Sequence, residues 1–183
     1  MTKNFYFTFL TFFALYLLQA QSLYKGSGNV SFISDAPLET VKAHSTKLNG
    51  LIDLDKKTFA FTIDVSSFEG FNSPLQKEHF NEHYLETKKF PKSTFTGNII
   101  SELNCTGNCD QIIICKGKFS IHGITKIETI SVHLKKTNQK IDIQSDFEIL
   151  LSDYNIKIPK IVQAKIASII QIKVLIQFNQ INE

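Results

Sequence analysis

From Thr58 to Ser67 the chain places Phe59, Phe61, Ile63 and Val65 in alternation with Ala60, Thr62, Asp64 and Ser66. A period of two with one apolar face specifies a strand buried on one side only. The pattern recurs. Lys140–Leu151 sets Ile141, Ile143, Phe147 and Ile149 against Asp142, Gln144, Asp146 and Glu148. Ser168–Asn179 sets Ile170, Ile172, Val174, Ile176 and Phe178 against Gln171, Lys173 and Gln177. Weaker versions mark Asn29–Ser34, Ser45–Asp55, Ser93–Leu103, Gln111–Ile121 and Lys126–Lys136, with Gln21 to Gly28 read as a linker. Eight half-buried strands joined mostly by short turns need one shared core. The expected class is all-β with one short helix: an eight-stranded antiparallel β-barrel, or a sandwich. Eight strands in an up-and-down barrel leave room for one small ligand.

One segment breaks the alternation. Ser73-Pro74-Leu75-Gln76 reads as a helix start. Ser73 can accept from the first-turn N–H groups, Pro74 suits the first helical position, and Gln76 completes a capping box. Leu75, His79, Phe80, His83 and Tyr84 recur at helical spacing and predict one apolar side. Phe90-Pro91 ends the segment. This helix is expected to cover one end of what the strands enclose.

The first twenty residues carry Lys3, an uncharged apolar run from Phe5 to Leu18, and Leu18-Gln19-Ala20 as a cleavage signal. That is the pattern of a secretory leader, and about 14 apolar residues are short for a membrane span. Residues 21–183 are then expected as a single domain, periplasmic or secreted after signal-peptide cleavage, with no stable membrane span. Cys105, Cys109 and Cys115 lie within one short stretch. In an exported chain they predict one disulfide, Cys105–Cys109 or Cys105–Cys115, with the third thiol left over. Their spacing lacks a standard zinc pattern. Asn29-Val30-Ser31 and Asn104-Cys105-Thr106 are glycosylation sequons, meaningful only in a eukaryotic secretory pathway.

Without the leader, nineteen lysines face seventeen acids, and the chain has no arginine. The lysines are scattered among acids rather than grouped in a stripe, which argues against nucleic acid as a partner. No G-x-S-x-G elbow or Gly-rich phosphate loop is present. His79-Phe80-Asn81-Glu82-His83 has the H-x-x-E-H form of an inverted zinc-protease signature. Its chemistry would need both imidazoles on zinc, Glu82 as base and a third ligand from elsewhere. The plainer reading packs His79 at the barrel mouth and leaves His83 in solvent. His122 reads as structural; His44 and His133 show no partner in the sequence.

Three blocks together resemble the YceI-like family of exported bacterial lipid-binding proteins. They are Glu78-His79-Phe80 through Phe90-Pro91-Lys92-Ser93-Thr94-Phe95, then Gly117 to Lys126, then Asp153 to Pro159. The resemblance implies a lipocalin-like barrel around a long apolar chain, a polyisoprenoid in some members. Many members carry an Arg before the acidic–His pair, where this chain has Gln76 and Lys77. Lys77, Lys88 and Lys89 could replace it only as point charges.

The expected function is sequestration or carriage of a long-chain lipid, isoprenoid or quinone, with no chemistry, no cofactor and no metal. The expected ligand-binding residues are Ile52, Phe61, Ile63, Phe80, Phe95, Phe119, Ile121, Phe147, Ile149 and Val174 from the apolar faces, with His79. A second copy of the chain, as a homodimer, is a further possible partner. Two other readings remain: a metal-dependent hydrolase using His79, Glu82 and His83, and a solid-cored barrel serving as an interaction scaffold.

Overall fold

The computed structural model describes residues 23–181; the expected leader lies outside the described residues. Eight strands run in chain order: β1 (Leu23–Ala36), β2 (Glu39–Asp53), β3 (Thr58–Asp64), β4 (Lys92–Ile99), β5 (Cys109–Ile121), β6 (Ile124–Thr137), β7 (Lys140–Leu150) and β8 (Ile169–Gln180). Each pairs antiparallel with the next, and β8 returns to β1, so the sheet closes into a barrel. Closure gives the N–H and C=O groups of both outer strands a partner. Because strand direction alternates, the connections sort to two ends. The β1–β2 and β5–β6 hairpins, segment 65–91 and segment 151–168 gather at one end, the mouth. The other end carries the cysteine loop and the β6–β7 hairpin.

The apolar faces of β3, β7 and β8 point inward as their alternation predicts. β1 does not begin where expected. Residues 23–28, read as a linker, are strand, paired with β2 from Leu23↔Asp53 and with β8 from Tyr24↔Gln180. Gly26 and Gly28 hid this strand, since glycine offers no side chain to alternate. Their bareness is what closure needs. A Cβ on Gly26 would stand 2.7 Å from the Phe178 ring, which is fully buried.

β2 also begins earlier than expected, at Glu39. Val30 faces Ser45 but Gly28 faces Leu48, so Thr46 and Lys47 together oppose Asn29. This bulge switches the inward phase from Ala43 and Ser45 to Leu48 and Ile52, all buried. A single-phase pattern could not carry that shift. β4 stops at Ile99, short of the expected Leu103. The β5–β6 turn is His122-Gly123, both with positive φ, rather than Gly123–Thr125. Two residues of that geometry match the twist of the flanking strands.

Helix α1 is short, Pro74–His79. Ser73 Oγ accepts from the Gln76 N–H at 3.2 Å, as the cap predicts. The reciprocal half of the box differs. Gln76 Oε1 accepts from the Asn72 N–H at 3.0 Å, and Gln76 Nε2 donates to Glu39 at 2.5 Å. The helix then widens into one π turn, Phe80–Tyr84, closed by the Leu85 N–H donating to the Phe80 carbonyl at 2.9 Å. The inserted residue rotates the side chains beyond it about the helix axis. Phe80, Tyr84 and Leu85 face the barrel, whereas Leu75 is 57% exposed and His83 is exposed. The single apolar side expected of an unbroken helix is therefore not what forms.

The cysteine loop joins Cys105 to Cys109, Cα atoms 5.4 Å apart, and Cys115 is the free, buried thiol. Cys105 and Cys109 pack on the apolar cluster of the closed end, which includes the fully buried Leu134, Ile141 and Phe178.

Candidate ligand-binding site

Buried apolar side chains pack in two clusters, one reaching the closed end and one at the mouth, and space remains inside the barrel beside them. A cavity of about 400 Å³ opens at the mouth, within the range of small-molecule sites. Its wall includes Phe32 of β1, Ile149 of β7 and Ile170 of β8, and its roof is Phe68, Phe71 and Phe80. A second space of about 140 Å³ lies deeper. Both are bordered by Val30, Phe68, Ile121 and Ile172, so the apolar passage from mouth to mid-barrel consists of two adjoining spaces. A barrel with a wholly filled core would lack both spaces.

Every expected ligand-binding residue stands on this passage. Phe80, Ile149 and His79 border the mouth, and Ile121 borders both spaces. Ile52, Phe61 and Ile63 border the deep space on one side; Phe95, Phe119, Phe147 and Val174 complete it. Aromatic contacts join them: Phe95 to Phe119 at 6.1 Å and Phe119 to Phe147 at 6.2 Å between centroids, both edge to face. Such pairs favour a fixed relative orientation of the rings. Phe68, Phe71, Leu85 and Ile166 also line the mouth, beyond the expected set. They come from irregular segments, where no period exists to reveal an inward face.

Polar groups sort by depth. Two of the few in the deep space are satisfied within the chain: Ser93 Oγ donates to the Ser120 carbonyl at 2.9 Å and Ser145 Oγ to the Ser131 carbonyl at 2.8 Å. Glu39, Ser73, Gln76 and Lys165 stand at the mouth instead. Tyr84, at the mouth, has its phenol pushed above its ordinary value by burial and stays neutral. The passage therefore suits an apolar chain whose polar end remains near solvent.

The structure gives the histidines ordinary partners. His79 and His83 have ring centroids 5.3 Å apart. Glu82 meets Lys88 at 3.2 Å, and no group of three His, Cys, Asp or Glu side chains positioned for a metal occurs among the described residues. Among the described residues, no third ligand of the kind a zinc hydrolase needs is brought to this helix. His133, without a partner in the sequence reading, bonds Asp110 at 2.5 Å. His122 is structural as expected: Nε2 lies 2.8 Å from Glu86 and Nδ1 3.0 Å from the Tyr154 carbonyl. Phe90 lies edge-on to its ring, centroids 5.0 Å apart. One imidazole thus ties the exit of the roof segment to the 151–168 connection. Tyr154 donates to Glu128 at 2.7 Å; burial first, then that bond, pushes its phenol well above the usual range.

Residues 23–178 match the profile of the YceI-like domain. The chain belongs to the YceI-like family. No curated protein sequence matches it. Solved YceI-like folds superpose over most of the barrel. A polyisoprenoid binding domain from Saccharophagus degradans, implicated in plant cell wall breakdown, is similar with a TM-score of 0.74 at 12% identity, covering 88% of this chain and 99% of that one. Burkholderia cenocepacia BcnA gives 0.68 at 21% identity, covering 82% and 95%. Campylobacter jejuni YceI gives 0.61 at 17%, covering 78% and 86%. At these identities the likeness is one of fold. Within it, Gln76 of this YceI-like chain bridges Asn72 and Glu39 at the rim, and its neighbour Lys77 meets Glu69 at 3.9 Å, so both residues in the region of the family's Arg are engaged within the chain.

Proposed function

We propose that this protein is an exported carrier that holds one long-chain apolar molecule, of isoprenoid, quinone or fatty-acid type, and performs no chemistry on it. The observation that carries the reading is the apolar passage from the mouth to mid-barrel. Its deep part is bordered mostly by Phe, Ile and Val, and its two serines donate to backbone carbonyls. Burial is the mechanism. Each enclosed CH2 is worth about 0.8 kcal/mol, so a long chain binds without a strong polar anchor. Gln76 carries no charge and its amide donates to Glu39, so it offers no cation to a pyrophosphate head group; among the described residues, Lys165 is the lysine that borders the mouth. Membership of a family that includes a polyisoprenoid binding domain supports the ligand class. The leader-like first twenty residues and the Cys105–Cys109 disulfide support an oxidising, exported location.

The test is native mass spectrometry of protein purified from its own host, combined with uptake of labelled fatty acid and isoprenoid alcohol. The expected result is a co-purifying apolar molecule and saturable uptake of at least one probe at one per chain. Protein that yields no extractable lipid and takes up neither probe would overturn the reading. The same spectra report whether the carrier is a homodimer.

A further inference from the structure

Three segments border the mouth, and each turns a large apolar side chain outward beside a residue that lines the cavity. Leu38, 72% exposed, precedes Glu39 at the tip of the β1–β2 hairpin. Leu75 precedes Gln76 on α1, and Ile161, 92% exposed, precedes Val162 in a single 3₁₀ turn, Lys160–Val162. The hairpin and the turn belong to one rim, because the Leu38 N–H donates to the Ala164 carbonyl at 2.8 Å. Just outside, Leu150 and Ile169 face each other on β7 and β8 and are also exposed. Exposed large apolar side chains also stand elsewhere on the barrel, at Leu51, Ile100, Ile112, Ile127 and Leu175; those at the mouth are set apart by lying on the tips of the segments that frame the cavity, where an apolar cluster marks a contact surface.

The charge of the same rim is uneven. Residues 157–166 hold Lys157, Lys160 and Lys165 and no acid. None of the three appears among the ion pairs of the described residues. Lys165 itself borders the cavity. The acids of the hairpin are engaged within the chain: Asp35 accepts from the Thr40 hydroxyl at 2.6 Å and Glu39 from Gln76. Lys77 of α1 meets Glu69 at 3.9 Å and stands next to the exposed Glu78, and Glu82 of the π turn meets Lys88. Protruding apolar tips next to unpaired lysines match the two demands of an anionic bilayer surface, which are insertion at the acyl boundary and neutralisation of head groups.

We propose that the mouth docks on an anionic lipid bilayer, with Leu38, Leu75 and Ile161 inserted and the 157–166 lysines on the head groups. Docked this way, the passage opens straight into the acyl region, and an apolar cargo moves between bilayer and barrel without crossing water. The docking surface stands on the rim alone. Its use for loading rests on the carrier reading above.

The test is sedimentation of the purified protein with vesicles of phosphatidylcholine, alone or mixed with phosphatidylglycerol. The expected result is binding to the mixed vesicles that weakens with added salt, and little binding to the neutral ones. Ile161→Asp and Leu38→Asp are each expected to weaken it roughly tenfold, and Lys160→Ala and Lys165→Ala roughly fivefold each. Ile112→Asp, at an exposed position on β5 away from the mouth, is expected to bind as the parent does. These side chains lie in solvent, so the folded state survives their replacement, which circular dichroism verifies. Absence of binding to mixed vesicles, or equal loss with Ile112→Asp, overturns the docking surface. Uptake of a detergent-dispersed probe by the parent protein is measured beside it: a parent that takes up the probe but does not dock overturns this proposal alone, and a parent that docks but takes up no probe overturns the carrier reading alone.

Discussion

Phe80 stacks on Phe32 across the mouth, ring centroids 5.6 Å apart and planes 14° from parallel. Phe80 comes from the π turn after α1 and Phe32 from the wall strand β1, so this stack fastens roof to barrel. Phe68 and Phe71 meet Phe80 at 5.9 and 5.0 Å. The roof is thus held by aromatic packing as well as by the Gln76–Glu39 bond.

Phe80→Ala removes the centre of that cluster. Phe80 is half-buried, so the loss in stability is expected at about 2 kcal/mol, below the range for a fully enclosed ring. A bound apolar probe should leave faster, because the barrier over the cavity is gone. Urea denaturation and stopped-flow release of a fluorescent fatty acid read the two effects; an unchanged release rate would show that the roof is not the barrier.

Val174→Phe places a ring in the deep space, which is only about 140 Å³. Fold and melting temperature should change little, since the ring enters an existing gap rather than a filled core. Binding of the longest chains should be lost while short ones still fit at the mouth. A series of probes of increasing chain length measures the cut-off, and an unshifted cut-off would remove the deep space from the site.

Gly26→Val tests closure. The new side chain meets the Phe178 ring and the Gln177 backbone at the β1–β8 seam, and a loss of about 2–3 kcal/mol is expected. Gly107→Ala is the control, with nothing within 4 Å of the added carbon. Denaturation midpoints of the two variants should differ sharply.

Burial pushes the Cys115 thiol from an ordinary 9.0 up to about 12. The folded state therefore keeps its proton at a pH where the unfolded chain has lost it. With more protons bound when folded, stability falls as pH rises from about 9 to about 12. Cys115→Ser should flatten that part of the alkaline stability curve relative to the parent. A thiol reagent at neutral pH should label the native protein slowly, and one site per chain after denaturation.

The residues of this chain already specified a half-buried strand at β3, β7 and β8, the capped start of α1 and the inward set from Ile52 to Val174. Those features are local. An alternating face or a serine cap is written in neighbouring side chains and needs no distant partner to be read. The same holds for the three YceI-like blocks, which lie within single segments.

Other features were set only by packing. The strand through Gly26 and Gly28 exists because β8 comes back to it, and Phe178 fills the space that the glycines leave. The bulge at Thr46-Lys47 reconciles two inward phases that meet only when β1 and β2 pair. The π turn at Phe80 turns a predicted helical face so that Phe80 reaches Phe32 and Leu75 is left outside. Phe68, Phe71 and Ile166 reach the cavity from irregular backbone, whose direction depends on what it rests against. Periodicity determined which strands have a greasy side; closure of the barrel decided where those sides leave a gap.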